Sequence, residues 1–185
     1  MQLGDESYDG PTLREVVNGA TEAVRLVRCD LREIDLRGVD LTEVHFEECV
    51  LDNADLRGAA LGGASFGGCR LMGADFEGVS GFGFTISRSN AFAANLIRAP
   101  LAHADLSGTR FTEAVLRGAD LRSCIFDGCD LSGADLAEAQ LEHADLRGAG
   151  LGPCDLDRMH ALRGAIITTT QAAAIVCDLA GATVL

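Results

Sequence analysis

Residues 29–78 read CDLRE IDLRG VDLTE VHFEE CVLDN ADLRG AALGG ASFGG CRLMG ADFEG. Set out in fives, the third place holds Leu31, Leu36, Leu41, Phe46, Leu51, Leu56, Leu61, Phe66, Leu71 and Phe76. The first place holds a small or β-branched residue, from Cys29, Ile34 and Val39 to Ala74. A period of five fits neither the 3.6 residues of a helical turn nor the two of a flat strand, so the chain must turn a corner in every repeat. Beyond the quoted stretch the same phase continues through Ile86, Leu96, Leu106, Phe111, Phe126, Leu141, Leu151, Leu156 and Ile166. Only Gly81, Ala91 and Ala161 fail to place a large apolar side chain there. The spacing therefore predicts one register from Cys29 to Ile166 without slippage.

Glycine is common in the fifth place (Gly38, Gly58, Gly63, Gly68), where it relaxes the steric restriction at a corner. With no Trp, one Tyr and 5% aromatic residues, the chain can fill only a narrow interior lined by small and medium side chains. The motif in ADLRG (54–58) and ADLSG (104–108) resembles the pentapeptide repeat family. That resemblance implies an all-β fold, a right-handed quadrilateral β-helix in which four repeats make one square coil. The first and third places point inward and the other three outward. Residues twenty apart then stack: Cys29, Cys49, Cys69, Ser89, Thr109, Cys129 and Ala149 form one inward ladder, and Phe46 lies under Phe66. Repeats centred on residues 31 to 166 give about seven coils, about 34 Å at a strand spacing of about 4.8 Å.

Both ends of such a rod need caps. Residues 1–25 carry no repeat and are expected as an N-terminal cap or irregular segment; Thr12 with Glu15 opens either a short helix through Leu13, Val16, Val17 and Ala20 or irregular first-coil structure. Residues 26–167 form the solenoid, and residues 168–185 a short C-terminal α-helix and tail. There Thr168 with Gln171 makes a capping box and Gly181 a stop, with Ala182 to Leu185 able to pair as a short strand. Ala172, Ile175, Val176 and Leu179, with Val184, are expected at a dimer interface, the alternative being a cap and nothing else. Between Val79 and Pro100 the repeat degrades while its phase survives. Phe84 is expected to fill the void at Gly81. Phe82 and Phe92 should face outward, through local repacking or as a contact surface for a partner.

Six of the seven cysteines occupy the first place, where a free thiol acts as a small apolar side chain, and a reduced ladder is expected. His103 and His143 share a column about 10 Å apart, too far to ligate one metal. No nucleophile and base come together outside the repeat pattern, so neither an enzyme nor a bound metal or cofactor is expected. A net charge of −13 argues against direct binding to nucleic acid or anionic lipid and favours a basic partner. Without a signal region or a run of 18 apolar residues, the chain reads as cytoplasmic, with no membrane association.

The unbroken register, the degraded middle and the ending TTTQAAAIVCDLAGATVL (168–185) resemble the topoisomerase-protecting subgroup of pentapeptide repeat proteins. That resemblance implies a DNA mimic that binds DNA gyrase at the A-subunit DNA-binding saddle and modulates inhibition by fluoroquinolones. It also implies a homodimer joined through the C-terminal helix. The acidic column of Asp35, Asp55, Asp75, Asp135 and Asp155, with Glu77, Glu138 and Asp157 beside it, is the candidate contact surface, although Arg37, Arg57 and Arg117 sit alongside. A structural or adaptor solenoid for another basic protein is the competing class. The unbroken phase leaves no room for the projecting loops of the plasmid-borne members.

Overall fold

From Glu33 to His143 each corner rests on one residue in left-handed backbone. In the computed structural model, which describes residues 1–183, the fifth place is left-handed both at glycines, such as Gly38 (φ 64°), and at residues with a Cβ, such as Glu33 (56°), Ala93 (53°) and His143 (63°). The corner is closed by the first-place N–H donating to the third-place carbonyl, as from Ala54 to Leu51 (3.0 Å). The second-place Asp completes it: Oδ1 of Asp35, Asp75 and Asp105 accepts the N–H two residues on at 3.0–3.1 Å. The recurring aspartate is thus a turn-former before it is a surface charge.

Successive coils are joined by parallel backbone bonds, for example Leu31 N–H to Val50 O (2.7 Å) and Val50 N–H to Cys29 O (2.9 Å). The result is a right-handed four-faced solenoid. We number its faces 1 to 4 by the third-place residues Leu31, Leu36, Leu41 and Phe46 that begin them. Face 1 is continuous from Ser7 through Asp30, Val50, Arg70, Asn90, Arg110 and Asp130 to Gly150, and face 2 from Asp35 to Asp135. Face 4 opens with a five-stranded parallel sheet, β1 (Gln2–Gly4), β2 (Arg25–Val27), β3 (His45–Glu47), β4 (Ser65–Gly67) and β5 (Thr85–Ser87). The interior is mostly apolar, with the rings of Phe46 and Phe66 stacked at 4.7 Å and Phe76 edge-on to Phe66 at 5.5 Å.

Faces 3 and 4 break at the same level. Ser80 pairs with Ala60 and Pro100 with Asp120, but among the described residues no bridge joins Ser80 to Pro100, and β5 pairs with no later segment. The ladder bonds expected from Gly81 N–H to Pro100 O, Gly83 N–H to Ala102 O and Asp105 N–H to Phe84 O are absent there; pairing resumes at Arg88 N–H to Ser107 O (2.8 Å). Two causes coincide. Pro100 has no N–H to give the Val79 carbonyl. In addition, face 4 changes from strand at Thr85–Ser87 to a single bridge at Asp105 with a turn at Ser107–Gly108, so unlike backbones oppose each other. Gly81 sits so close to the coil before it that a Cβ would lie 2.4 Å from Gly62 N, and Phe84 is fully buried.

The first-place ladder facing this sheet carries donors for a reason. Ser89 Oγ donates to Phe66 O (3.1 Å) and accepts from Cys69 N–H (2.9 Å); Thr109 Oγ1 donates to Ile86 O (2.9 Å). Cys49 and Cys69 thiols reach Leu26 O and Phe46 O at 3.3 and 3.4 Å. Alanine could not make these bonds.

The ends correct the sequence reading. Over residues 1–25, β1 and Ser7 supply a first partial coil, and α1 (Gly10–Gly19) follows with Leu13 fully buried. The N-cap of α1 is Asp9, which accepts from Thr12 N–H at 2.8 Å; Thr12 and Glu15 do not form the box expected of them. At the other end the register slips by one residue. The fifth place at 153 is proline, whose ring forbids left-handed φ, so Gly152 (φ 65°) takes the corner instead. The chain leaves the coil as α2 (Leu156–Ala161) and returns with Asp145 opposite Ile166, twenty-one residues on. Leu162 and Ile167 now face the core, while Leu156 and Ile166, expected inside, are 61% and 44% exposed. The last helix, α3 (Thr169–Ala180), has the Thr168–Gln171 capping box and a left-handed Gly181. Val184 lies outside the described residues.

Two outcomes are expected. In hydrogen exchange, the amides of Gly81, Gly83 and Asp105 exchange at least about a hundredfold faster than those of Ala91 and Ala93, which are bonded to Arg110 O and Thr112 O. Ser89→Ala, which strands a buried N–H and a carbonyl, lowers unfolding free energy by about 1–3 kcal/mol in a urea titration.

Candidate partner-binding surface

The acidic column on face 2 is assembled by the ladder: Asp35, Asp55, Asp75, Asn95, Val115 and Asp135 stand one above another. Its charge is largely answered from within. Arg37 grips Asp35 through two bonds (2.9 and 2.6 Å) and approaches Asp55 at 3.5 Å; Arg57 repeats this on Asp55 and Asp75. Arg117 donates to Asp135 at 2.8 Å, and Asn95 to Asp75 at 2.9 Å. Hydrogen bonding from Arg37 holds the Asp35 carboxyl well below the ordinary carboxylate range, and Arg57 does the same for Asp55. Glu77 and Glu138, in the fourth and fifth places, are exposed without an ion-pair partner among the described residues.

Asp155 and Asp157 do not continue the column. The slip at Pro153 moves both into α2, where Asp155 is the N-cap and accepts from Arg158 N–H at 2.8 Å. They still border a cleft of about 350 Å³ with Asp135, Arg117 and Arg158. Arg158 is committed to the rod's end. Its guanidinium donates to the carbonyls of Leu131 (3.0 Å), Leu151 (2.5 Å) and Ala134 (2.6 Å).

Phe82 and Phe92 point outward from the fourth place but differ in surroundings. Phe92 is half-buried beneath the Arg110 guanidinium, 5.4 Å from its ring centre, whereas Phe82 is 86% exposed. Of the residues expected at a dimer interface, Ile175 packs against the core and Val176 is 48% exposed; Ala172 and Leu179 are half-buried. The helix that carries them is fixed across the open coil by Gln171, donating to Leu146 O (2.7 Å) and Ala149 O (2.8 Å), and by Asp178, accepting from Cys154 N–H. The exposed Leu156 and Met159 on α2 escaped sequence reasoning; Pro153 was the signal that would have found them.

Burial suppresses ionisation at three of the thiols. Burial pushes Cys124 up to about 12 and Cys129 up to about 11, and raises Cys29 as well. No group of His, Cys, Asp and Glu among the described residues is arranged to hold a metal ion, and none of their helices is long and apolar enough to cross a membrane.

The model of pentapeptide repeats matches residues 29–68, 49–80, 94–133 and 114–152, more than half of the chain. The chain belongs to the pentapeptide repeat family. No curated protein sequence matches it. Among solved structures, two trypsin-treated variants of QnrB1, a plasmid-mediated fluoroquinolone resistance protein, give TM-scores of 0.75 and 0.72 at 22% and 25% identity. Each covers 100% of this chain and 98% of the other. Full-length QnrB1 gives 0.58 at 22% identity over 95% of each chain. These likenesses establish a shared solenoid. The family match skips residues 81–93, which begin at the broken level of faces 3 and 4.

The carboxylates of this pentapeptide repeat protein set its acid limit. Asp30, Asp35, Asp55 and Asp120, whose first cause is an arginine hydrogen bond, all lie below their ordinary 3.8, and Asp145, held by Arg147, falls to about 2. Depressed pKa values contribute stability that is complete above the unfolded value and lost as pH falls through the folded one. Denaturant midpoints should therefore fall between about pH 4 and pH 2.

Proposed function

We propose that this protein is a non-enzymatic DNA mimic that binds DNA gyrase, competes with DNA for the A-subunit saddle and modulates inhibition by fluoroquinolones. The observation that carries the reading is a long rod, continuous along faces 1 and 2, with net charge −13. The whole-length likeness to QnrB1 supports it. Two copies joined end to end through α3 would be about 70 Å long and carry −26, twice −13. Duplex DNA of that length carries about 40 charges, so the mimic has about two-thirds of the charge of its model. That is enough to steer a basic saddle and pair with it.

Face 2 and the adjoining α2 supply this less through the paired aspartates than through Glu77, Glu138 and Asp157, which have no ion-pair partner among the described residues, with Asp35, Asp55, Asp75, Asp135 and Asp155 setting the surrounding field. The arginine pairing along face 2 favours a second reading, an adaptor for a basic protein other than gyrase.

A supercoiling assay with purified gyrase, with and without a fluoroquinolone, decides between them. The mimic inhibits supercoiling at micromolar dimer and lessens drug-stabilised cleavage; no effect at that concentration rejects the gyrase reading and leaves the adaptor. Val176→Asp, on the exposed side of α3, converts the dimer to monomers in sizing chromatography without loss of thermal stability.

A further inference from the structure

Phe82 stands alone on face 3. At 86% exposure it is the most exposed large apolar side chain among the described residues. Its surroundings are unusual in a protein of net charge −13: outward positions of face 3 from Ala60 to Ala102 carry no charged side chain. Gly62 and Gly63 lie beneath the ring's position in the preceding coil, and Pro100 and Ala102 in the following one. This low, neutral apron leaves the phenyl ring projecting from bare backbone. The nearest carboxylates on the same face are Asp40 and Glu43 two coils before it and Asp120 two coils after it, about 10 Å away on either side. Asp120 is gripped by Arg122 at 2.7 Å, so the earlier pair is the freer of the two.

The projection coincides with the broken seam. Phe82 is flanked by Gly81 (φ 102°) and Gly83 (φ 78°), and the N–H groups of both lack a hydrogen-bond partner among the described residues. The Phe82 carbonyl remains bonded to Gly63 N–H at 3.0 Å, which ties the knob to the coil before it. A segment that gives up ladder bonds and exposes an aromatic ring gains nothing for folding. An aromatic side chain held on a rigid scaffold is the form that interface anchors take.

We propose that Phe82 is the anchor of a docking surface on face 3, inserting into an apolar socket of a protein partner. The partner presents basic side chains about 10 Å from that socket, facing Asp40 and Glu43. The proposal rests on the gyrase reading for its partner and moves the energetic centre of the contact from the neutralised column of face 2 to face 3. Phe92, roofed by Arg110, takes no part.

The test compares the wild type, Phe82→Ser and, as a control, Ile125→Ser, which removes another exposed apolar side chain on face 4. Gyrase supercoiling and direct binding to gyrase by calorimetry are measured, with thermal melting to verify folding. Phe82→Ser should raise the half-inhibitory concentration at least about tenfold with an unchanged melting temperature; Ile125→Ser should leave both unchanged. A photoreactive benzoylphenylalanine at position 82 should crosslink to gyrase. Phe82→Ser inhibiting as well as the wild type overturns the docking surface while sparing the gyrase reading. A wild type without effect on gyrase overturns that reading and the partner with it. A change of oligomeric state in Phe82→Ser overturns the proposal in favour of a second copy of this chain as the occupant.

Discussion

A left-handed corner every five residues, locked to its neighbour by backbone bonds one coil away, is the constraint on which the rest depends. It forces the first- and third-place side chains inward, limits the interior to small residues, aliphatics and Phe, and sends the other side chains outward. It also sets strict local terms. Asp35 and its counterparts must hold the corner N–H, the fifth place must tolerate positive φ, and the second place must offer a donor to the coil before. Thirteen repeats meet the second condition with a residue other than glycine, from Arg28 to His143. Their left-handed geometry is tolerated because the ladder above and below fixes it.

Where those terms fail, the structure departs from its repeat in ways that follow from the residue at fault. Pro153 cannot be left-handed, and the register slips by one. Pro100 cannot donate, and face 3 opens. At Ser89 and Thr109 hydroxyls replace alanine in the inward ladder, bonding to carbonyls of the sheet on face 4. The cysteines of the same ladder are weaker versions of this device, and burial keeps Cys129 protonated at neutral pH. The same chemistry that makes the rod thus also marks its irregular places.

Much of this was legible in the sequence. The period of five and the capping box of α3 follow from spacing and residue type; the four-sided coil, and with it the stacked Phe46 and Phe66 and the inward Phe84, follow from the resemblance to pentapeptide repeats. The slip was legible in principle, because Pro153 falls in the one place where proline is excluded, but the apolar Leu156 and Ile166 kept the count of fives intact and hid it. The α1 cap was misread because Asp9 precedes a Pro–Thr pair and Thr12 offers an equally good box. Charge was the least legible feature. A column of aspartates reads as a negative face, yet Arg37 and Arg57 each grip the aspartate two residues before them and Arg117 reaches Asp135 one coil on, side-chain geometry that periodicity does not encode. The seam likewise needed the conformations of two adjacent coils, strand at Thr85–Ser87 and a lone bridge at Asp105 followed by a turn at Ser107–Gly108.

The most direct test of the shared axis is a pulsed electron-spin distance measurement between labels at Glu33→Cys and Gly133→Cys, corner positions on face 1 five coils apart. Stacked coils predict one narrow distribution with a backbone separation of about 24 Å. A broad distribution, or a separation outside the reach of the labels around that value, would contradict the solenoid and every inference built on its faces.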